Sequence, residues 1–236
     1  MLIPSIVLGA AALALAVLGL AGPLHRAGLS LDTALAIVQW AGHAGGAVAL
    51  GAVVVAVLAY RSRAWLRLAI AAMALIAGLS GFAIGFGEYR RVVNAPAIHD
   101  ITTDLENPPT FSAVVAHRAD APNKLDRPPQ LAALQREGYA DLAPITVKTP
   151  PDQTFDRALA VAQSQRWEIV TADKSSGRIE ATDTTRWFGF VDDVAVRLTA
   201  WGSGTRVDVR SVSRSGVSDA GRNADRIRRF LRELQQ

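Results

Sequence analysis

The first 87 residues carry almost no charge, and this feature limits what the chain can fold into more than any other. Only Arg26, Asp32, Arg61, Arg63 and Arg67 are charged there, whereas residues 88–236 hold 41 charged side chains. Because about a quarter of the residues of an average soluble protein are charged, the first segment does not resemble a soluble domain. The chain therefore divides near Gly87 into an apolar segment and an ordinary charged one.

The apolar segment contains three long hydrophobic runs, at residues 2–22, 34–59 and 64–86. A run of about 20 residues spans roughly 30 Å as a helix, which is the thickness of a bilayer core. The runs predict a three-helix transmembrane anchor over residues 1–87. A cleaved signal peptide followed by two helices is the alternative, but the N-terminus lacks the Lys or Arg that usually opens a signal peptide.

Positive charge in the short loops indicates the orientation of the anchor. The second loop and its edge carry three arginines, whereas in the first loop Arg26 is offset by Asp32. This pattern places the second loop in the cytoplasm and the charged C-terminal segment in the periplasm, at a bacterial inner membrane. Arg90 and Arg91, just after the third run, favour the opposite orientation.

Small and polar residues inside the runs suggest helix contacts. Two pairs of glycines are spaced four residues apart, Gly42 with Gly46 and Gly81 with Gly85. Such faces allow helices to approach closely in lipid, either within the anchor or in a homodimer. Gln39 and His43 share one face of the second helix, where a histidine could make an interhelical hydrogen bond, bind a ligand or relay protons.

The charged segment divides in two by its proline content. Residues 88–144 contain seven prolines and are predicted to be irregular, apart from a short helix over residues 129–137. Residues 145–236 show regular patterns: a short strand, an amphipathic helix, three or four alternating strands and a terminal helix from about Asp219 to Leu234. This order predicts an α+β domain in which a curved antiparallel sheet carries helices on one face, of the helix-grip kind.

Composition excludes several functions. The chain has no cysteine, so thiol chemistry, disulfides and iron–sulfur ligation are absent. Residues 88–236 are nearly neutral, with 21 basic and 20 acidic residues. The positive net charge is therefore weak evidence for nucleic-acid binding, which uses a concentrated basic face, and no nucleic-acid partner is predicted. No cofactor is predicted.

The densest polar cluster joins the last strand to the last helix and predicts a ligand site. Its candidate ligand-binding residues are Arg210, Ser211, Ser213, Arg214 and Ser218. Guanidinium groups, hydroxyls and a helix N-terminus together suit a phosphate or carboxylate. The alternative is a capped loop with surface ion pairs, and Asn223 is expected to hold that loop in place.

Three aromatic residues, Trp187, Phe188 and Phe190, could add a hydrophobic lip for a lipid or protein partner, or else pack in the core. The adjacent Asp192 and Asp193 follow them. Neighbouring strand residues point to opposite faces, so these two carboxylates cannot easily share a metal ion. No metal site is predicted, and cross-strand pairing of Asp193 or Asp208 with Arg197 or Arg210 is expected instead.

His99 with Asp100 or Asp104 is the only histidine–carboxylate group beside hydroxyls. It is the basis of an alternative hypothesis, a hydrolytic enzyme. There is no GxSxG nucleophile motif to support that hypothesis.

Several segments resemble the bacterial and plastid family known as domain of unknown function 1499. They include Ile98–Asp104, Trp167–Val170, Gly177–Thr182, Trp187–Val194 and the run from Arg206 to Asn223. The resemblance covers residues 98–234, and the three-helix N-terminus resembles a membrane-anchored version found in proteobacteria. It implies a domain boundary but no activity, and this chain lacks the cysteine segment of some members. The sequence thus predicts a non-catalytic lipid- or protein-binding module of the cell envelope, with a lipid head group or an envelope protein as its partner.

Overall fold

Three long helices open the chain. A computed structural model describes residues 2–236, and its first helices are α1 (Leu2–Arg26), α2 (Leu31–Arg61) and α3 (Trp65–Asn94). Their most apolar windows have mean hydropathies of 2.3, 1.9 and 2.1, so each helix is long and apolar enough to cross a membrane. The prediction of three N-terminal apolar helices is confirmed. α3 continues beyond Gly87 to Asn94, because the charged residues after Gly87 do not interrupt helical geometry.

Small residues bring these helices together. Ala11, Ala52 and Ala74, one from each helix, are fully buried in a common cluster. A Cβ atom on Gly42 would lie 3.1 Å from the Cα of Gly85, so the backbones of α2 and α3 nearly touch. The predicted glycine faces therefore pack within one chain: Gly46 meets the Phe82 ring and Gly81 meets Leu15. The homodimer through these faces stays a prediction.

The second part of the chain is built on a six-stranded antiparallel sheet. Its strands are β1 (Asp100–Thr102), β2 (Ile145–Val147), β3 (Glu168–Asp173), β4 (Arg178–Thr184), β5 (Val191–Trp201) and β6 (Gly204–Ser213). The order is β1-β6-β5-β4-β3, and β2 also pairs with β6. β1 and β2 thus lie end to end along the same edge of β6, at Arg210–Val212 and Thr205–Val207 respectively.

Helices α5 (Pro151–Ser164) and α6 (Arg222–Gln235) complete the main core, and α4 (Gln130–Gly138) precedes β2. Alternate residues of the strands, such as Val194 and Val209, pack against the apolar faces of α5 and α6. Trp167 stacks on Phe230 of α6 at 5.1 Å between ring centroids. The predicted α+β fold, a curved antiparallel sheet with helices, is confirmed.

Two local predictions need correction. The predicted irregular segment 88–144 contains β1 and a 3₁₀ turn at Val114–His117; β1 has only three residues and shows no periodicity of its own. The last helix begins at Arg222 rather than Asp219, since Ala220 (φ 53°) and Gly221 (φ 79°) are left-handed and interrupt helical geometry. Asp219 still accepts hydrogen bonds from the backbone N–H groups of Gly221 and Asn223.

Contacts divide the chain into two compact units. The first runs through Arg91 and includes Arg186–Gly189; the second comprises Val92–Thr185 and Phe190–Gln236.

Candidate functional site: the charged face of the sheet

The sheet face opposite α5 and α6 is lined with charged side chains. Side chains alternate along a strand, so the residues between the core valines of β5 and β6 all point to this second face. They include Asp193 and Arg197 on β5, and Asp208 and Arg210 on β6. Asp193, Asp208 and Arg210 are buried, because the segment between β1 and α4 covers this face. The charges therefore form a buried ionic layer.

Arg210 is fully engaged in this layer. Its Nε and Nη2 donate to the two carboxylate oxygens of Asp100 at 3.0 and 2.7 Å, and it also donates to the carbonyls of Pro109 and Leu125. Arg127 lies 2.9 Å from the same carboxylate. Burial lowers the pKa of Arg127 and the nearby Arg210 lowers it further, while Asp100 opposes both effects. Such bidentate pairs are strong and geometrically specific.

Asp193 is the centre of a second group. It is fully buried and accepts hydrogen bonds from Arg118, from Arg214 at 2.8 and 3.0 Å, and from the Thr182 hydroxyl at 2.9 Å. The hydrogen bond to Asp193 raises the pKa of Arg214, against the effect of burial. The neighbouring Asp192 points to the other face and pairs with Arg226 at 2.6 Å. The expectation that these two carboxylates face opposite sides is confirmed.

Asp208 and Asp104 each pair with the same two arginines, Arg197 and Arg206. Arg197 donates to Asp208 at 3.0 Å and to Asp104 at 3.1 Å, and Arg206 contacts the same two carboxylates. Arg197 and Asp208 are directly opposite each other on β5 and β6, so the predicted cross-strand pair is confirmed. Glu180 on β4 is buried and accepts hydrogen bonds from Ser112 and from the backbone of Val114.

The helix-facing side carries a smaller polar cluster around Asn223. Its side-chain oxygen accepts from Ser211 and Arg226, and its nitrogen donates to Ser213 and to the His99 carbonyl. This confirms that Asn223 holds the connection between β6 and α6. Burial raises the pKa of Asp219 beside it, although hydrogen bonds from the Asn223 and Gly221 amides oppose the shift.

The predicted ligand-binding residues are thus brought close together, but on both faces of β6 and with protein partners. Ser218 donates to the Pro96 carbonyl and accepts from the amide of Ala220. Of the aromatic residues, Trp187 and Phe188 belong to the first unit and pack edge to face at 5.0 Å, whereas Phe190 belongs to the second. Their role in ligand binding stays a prediction.

The residues of the alternative hydrolytic site are separated by their partners. The His99 Nδ1 atom lies 3.4 Å from the Val217 carbonyl. Asp100 is bound by Arg210 and Arg127, and Asp104 by Arg197 and Arg206. Within residues 2–236, no hydrogen bond joins His99 to either carboxylate. The same residues contain no group of three or more His, Asp or Glu that could hold a metal ion.

An open groove of about 380 Å³ lies at the edge of the ionic layer. Its floor is residues 195–200 of β5, and its walls are Pro109–Thr110, the start of α5 and the turn 174–178 between β3 and β4. Arg178 and Arg197 are directly opposite in register and both line it, with side chains 35% and 25% exposed. The two guanidinium groups face the same side of the sheet, where Arg197 is paired with Asp208 and Asp104 and Arg178 lies 3.4 Å from Glu180.

The groove offers several hydrogen-bond donors. Among residues 2–236, Arg178 donates through Nη2 alone, to the Thr110 carbonyl at 2.6 Å, and the same atom lies 3.4 Å from Glu180. Lys174, Ser175 and Ser176 also line the groove, but the Lys174 ammonium group is paired with Asp156 and the two hydroxyls donate to Asp173. Asp152 is the acidic lining residue. The turn is ordered by Asp173, which accepts from both serine hydroxyls at 2.6 Å. These hydrogen bonds lower the pKa of Asp173 to about 2.

A comparison with protein families found a match that covers most of the second compact unit. The family model described as "Protein of unknown function (DUF1499)" matches residues 100–234, more than half of the chain. The chain belongs to the DUF1499 family. The match begins at β1 and ends within α6, so the DUF1499 domain includes the sheet, the ionic layer and the groove. A search of curated proteins found no match.

Sequence reasoning missed the groove of the DUF1499 domain. Arg178 and Arg197 are 19 residues apart, and only the β4–β5 register places them side by side. The alternating charges of β5 and β6 were a usable signal for the ionic layer. Alternation alone indicates a strand with one solvated face, and it does not reveal that a third segment covers that face.

Proposed function

We propose that this protein is anchored in the inner membrane and presents the DUF1499 domain to the periplasm as a non-catalytic binding module for an anionic lipid head group. The anchor part of the proposal rests on three apolar helices that can each cross a bilayer. The orientation rests on the three arginines in and beside the loop between α2 and α3, since such charge is retained in the cytoplasm.

The observation that carries the binding function is the opposed pair Arg178 and Arg197 in an open groove. Within residues 2–236, Nε and Nη1 of Arg178 and Nη1 of Arg197 donate no hydrogen bond. Free guanidinium donors suit the oxygens of a phosphate.

The groove is favoured over the cluster around Arg210 and Arg214 for a physical reason. Arg210 directs its donors to Asp100 and to two carbonyls, and Arg214 directs its donors to Asp193 and Thr182. A ligand at these arginines must displace buried carboxylates. Each charge that is then left buried without a partner costs several kcal/mol. A ligand in the groove displaces water.

Calorimetric titration of the full-length protein in phosphatidylcholine nanodiscs tests the binding function. Glycerophosphoglycerol, inorganic phosphate and glycerol are the ligands, and they distinguish a head group from free phosphate and from a sugar-like alcohol. Arg178→Gln should weaken binding of the two phosphates about tenfold, the equivalent of one charge-assisted hydrogen bond. Arg136→Gln is the matched control, because Arg136 forms an exposed ion pair with Glu106 elsewhere on the domain.

Equal affinity of Arg178→Gln and wild type would exclude the groove, and an equal loss in Arg136→Gln would indicate non-specific attraction. Reporter fusions at Gln236 test the orientation separately. Alkaline phosphatase should be active there and green fluorescent protein dark; the reverse result would place the domain in the cytoplasm.

A further inference from the structure

A second, open cavity lies on the surface of the membrane anchor, between α2 and α3, where Gln39 and His43 are exposed. It has a volume of about 310 Å³ and is lined by Gln39, Gly42 and His43 on α2 and by Phe82, Gly85, Phe86 and Tyr89 on α3. Glycine creates this space. A Cβ atom on Gly85 would lie 2.9 Å from the Cα of Gly42, so the helices meet at these two residues and leave a notch beside them.

The α2 wall of this notch is polar. Gln39 and His43 are one turn apart, and within residues 2–236 no hydrogen bond is made to either side chain. Both lie within the apolar run at residues 34–59, about 12 and 18 Å from the first residue of α2. His43 contacts the Trp40 ring edge to face at 5.9 Å, which does not provide a hydrogen bond. Polar groups without hydrogen-bond partners are expensive at this depth in a membrane, so an amide and an imidazole here indicate a polar occupant.

The α3 wall is aromatic. Phe82 and Phe86 stack with ring centroids 5.6 Å apart and planes at 10°, and Phe86 and Tyr89 stack at 6.5 Å and 28°. The three rings therefore form a ladder along the notch. Flat faces of this kind favour a second flat ring, through offset stacking.

These walls together define the chemistry of a ligand. The lining contains no charged side chain, which disfavours a phosphate or ammonium head group. Phe82 and Phe86 are 39% and 47% exposed, so the notch opens sideways to lipid rather than to water. We infer that the notch binds the carbonyl-bearing ring of a membrane-soluble quinone, whose oxygens accept hydrogen bonds from Gln39 and His43 while its ring packs against the exposed aromatic wall of α3.

The position of the notch suits such a molecule. Gln39 is near the beginning of α2 and Tyr89 near the end of α3, so the polar opening is close to one membrane surface. His43 is one turn deeper, and the lipid-facing side of the notch leaves a path for an isoprenoid tail into the bilayer. A pocket of this volume lies at the lower end of the range for small-molecule sites, and fits a single ring.

Photolabelling of the full-length protein in phosphatidylcholine nanodiscs tests this inference. The probe is a short-chain azidobenzoquinone, competed with an unmodified short-chain benzoquinone to give a dissociation constant. Labelled peptides should come from α2 and α3. The double variant Gln39→Leu/His43→Leu should bind at least tenfold more weakly, because it removes two hydrogen bonds. Replacing His43 with Gln rather than Leu retains a hydrogen-bond donor, so it should preserve part of the affinity that the leucine substitution removes.

Leu50→Ala is the matched control on α2, because Leu50 is lipid-facing and outside the notch. Unchanged affinity in the double variant would overturn the inference, and so would equal binding of a competitor that carries the same tail on a benzene ring. The chain contains no cysteine, so His43→Cys also reports whether a second copy covers this face. Efficient disulfide-linked dimers of that variant in native membranes would overturn the inference too. None of these results bears on the groove of the DUF1499 domain.

Discussion

Asp193→Ala should be among the most destabilising single substitutions in the DUF1499 domain. Asp193 is fully buried and is bound by Arg118, Arg214 and Thr182. Its removal leaves the Arg118 side chain, only 5% exposed, without its carboxylate partner. Breaking a buried ion pair from one side typically costs about 3–5 kcal/mol, and the loss of two arginine contacts places this variant at the upper end of that range.

Urea unfolding of the full-length protein in nanodiscs measures this cost. Trp167 is buried against Phe230, so its fluorescence reports unfolding of the domain core once the other four tryptophans are replaced by phenylalanine in every variant compared. With a slope of about 2 kcal/mol per molar urea, a cost of about 4 kcal/mol lowers the midpoint by about 2 M. Asp156→Ala is the control, since Asp156 forms an exposed pair with Lys174 that should contribute less than about 1 kcal/mol.

A loss of less than about 1 kcal/mol for Asp193→Ala would refute this reasoning. It would mean that Arg118 and Arg214 find water when Asp193 is removed, and that the charged face is not sealed by the segment above it. A loss equal to that of Asp156→Ala would lead to the same conclusion.

Two further predictions concern the helix contact and the groove turn. Gly78→Ala should destabilise the anchor by about 1–3 kcal/mol, because its Cβ would lie 2.7 Å from the Gly45 carbonyl oxygen; thermal unfolding followed by circular dichroism measures the loss. Gly51→Ala is the control and should be neutral, since no atom lies within 4 Å of its Cβ position. Equal losses in the two variants would contradict the packing. Ser176→Ala should raise the pKa of Asp173 from about 2 towards 3.8, measured by carboxylate NMR. Because the native pKa is lowered, the stabilisation by ionised Asp173 is present above pH 3.8 and lost as the pH falls towards 2. An unchanged pKa of Asp173 in Ser176→Ala would show that the Ser176 hydroxyl does not stabilise the ionised carboxylate.

Much of the fold could be predicted from local pattern. The three apolar runs have a length and composition that only helices in a membrane commonly satisfy, and they correspond to α1, α2 and α3. Alternation predicted β5 and β6, and helical periodicity predicted α5 and α6. β1 escaped prediction because three residues carry too little pattern, and its place beside Arg210–Val212 is set by long-range pairing.

Less of the candidate site could be predicted, since charge alone does not reveal whether a side chain is free. The guanidinium group of Arg210 predicts an anion site, but Asp100, 110 residues earlier, occupies it. Gln39 and His43 are unusual residues for a membrane helix, and the sequence alone indicates that much. The aromatic ladder that faces them is on α3, and only the packing of α2 against α3 brings the two walls together.

The apolar N-terminal helices, the antiparallel sheet with its helices, and the family can all be read from local sequence. These properties depend on hydrophobic periodicity and short-range order, which are present in contiguous residues. Which charges are paired and which remain open to a ligand depends instead on the folded arrangement of distant segments. Asp193 and Arg178 both belong to alternating strands, yet the first is sealed in the ionic layer and the second lines the groove. That difference depends on where a distant segment crosses the sheet, and the free energy of a charge depends on the atoms around it rather than on its neighbours in sequence.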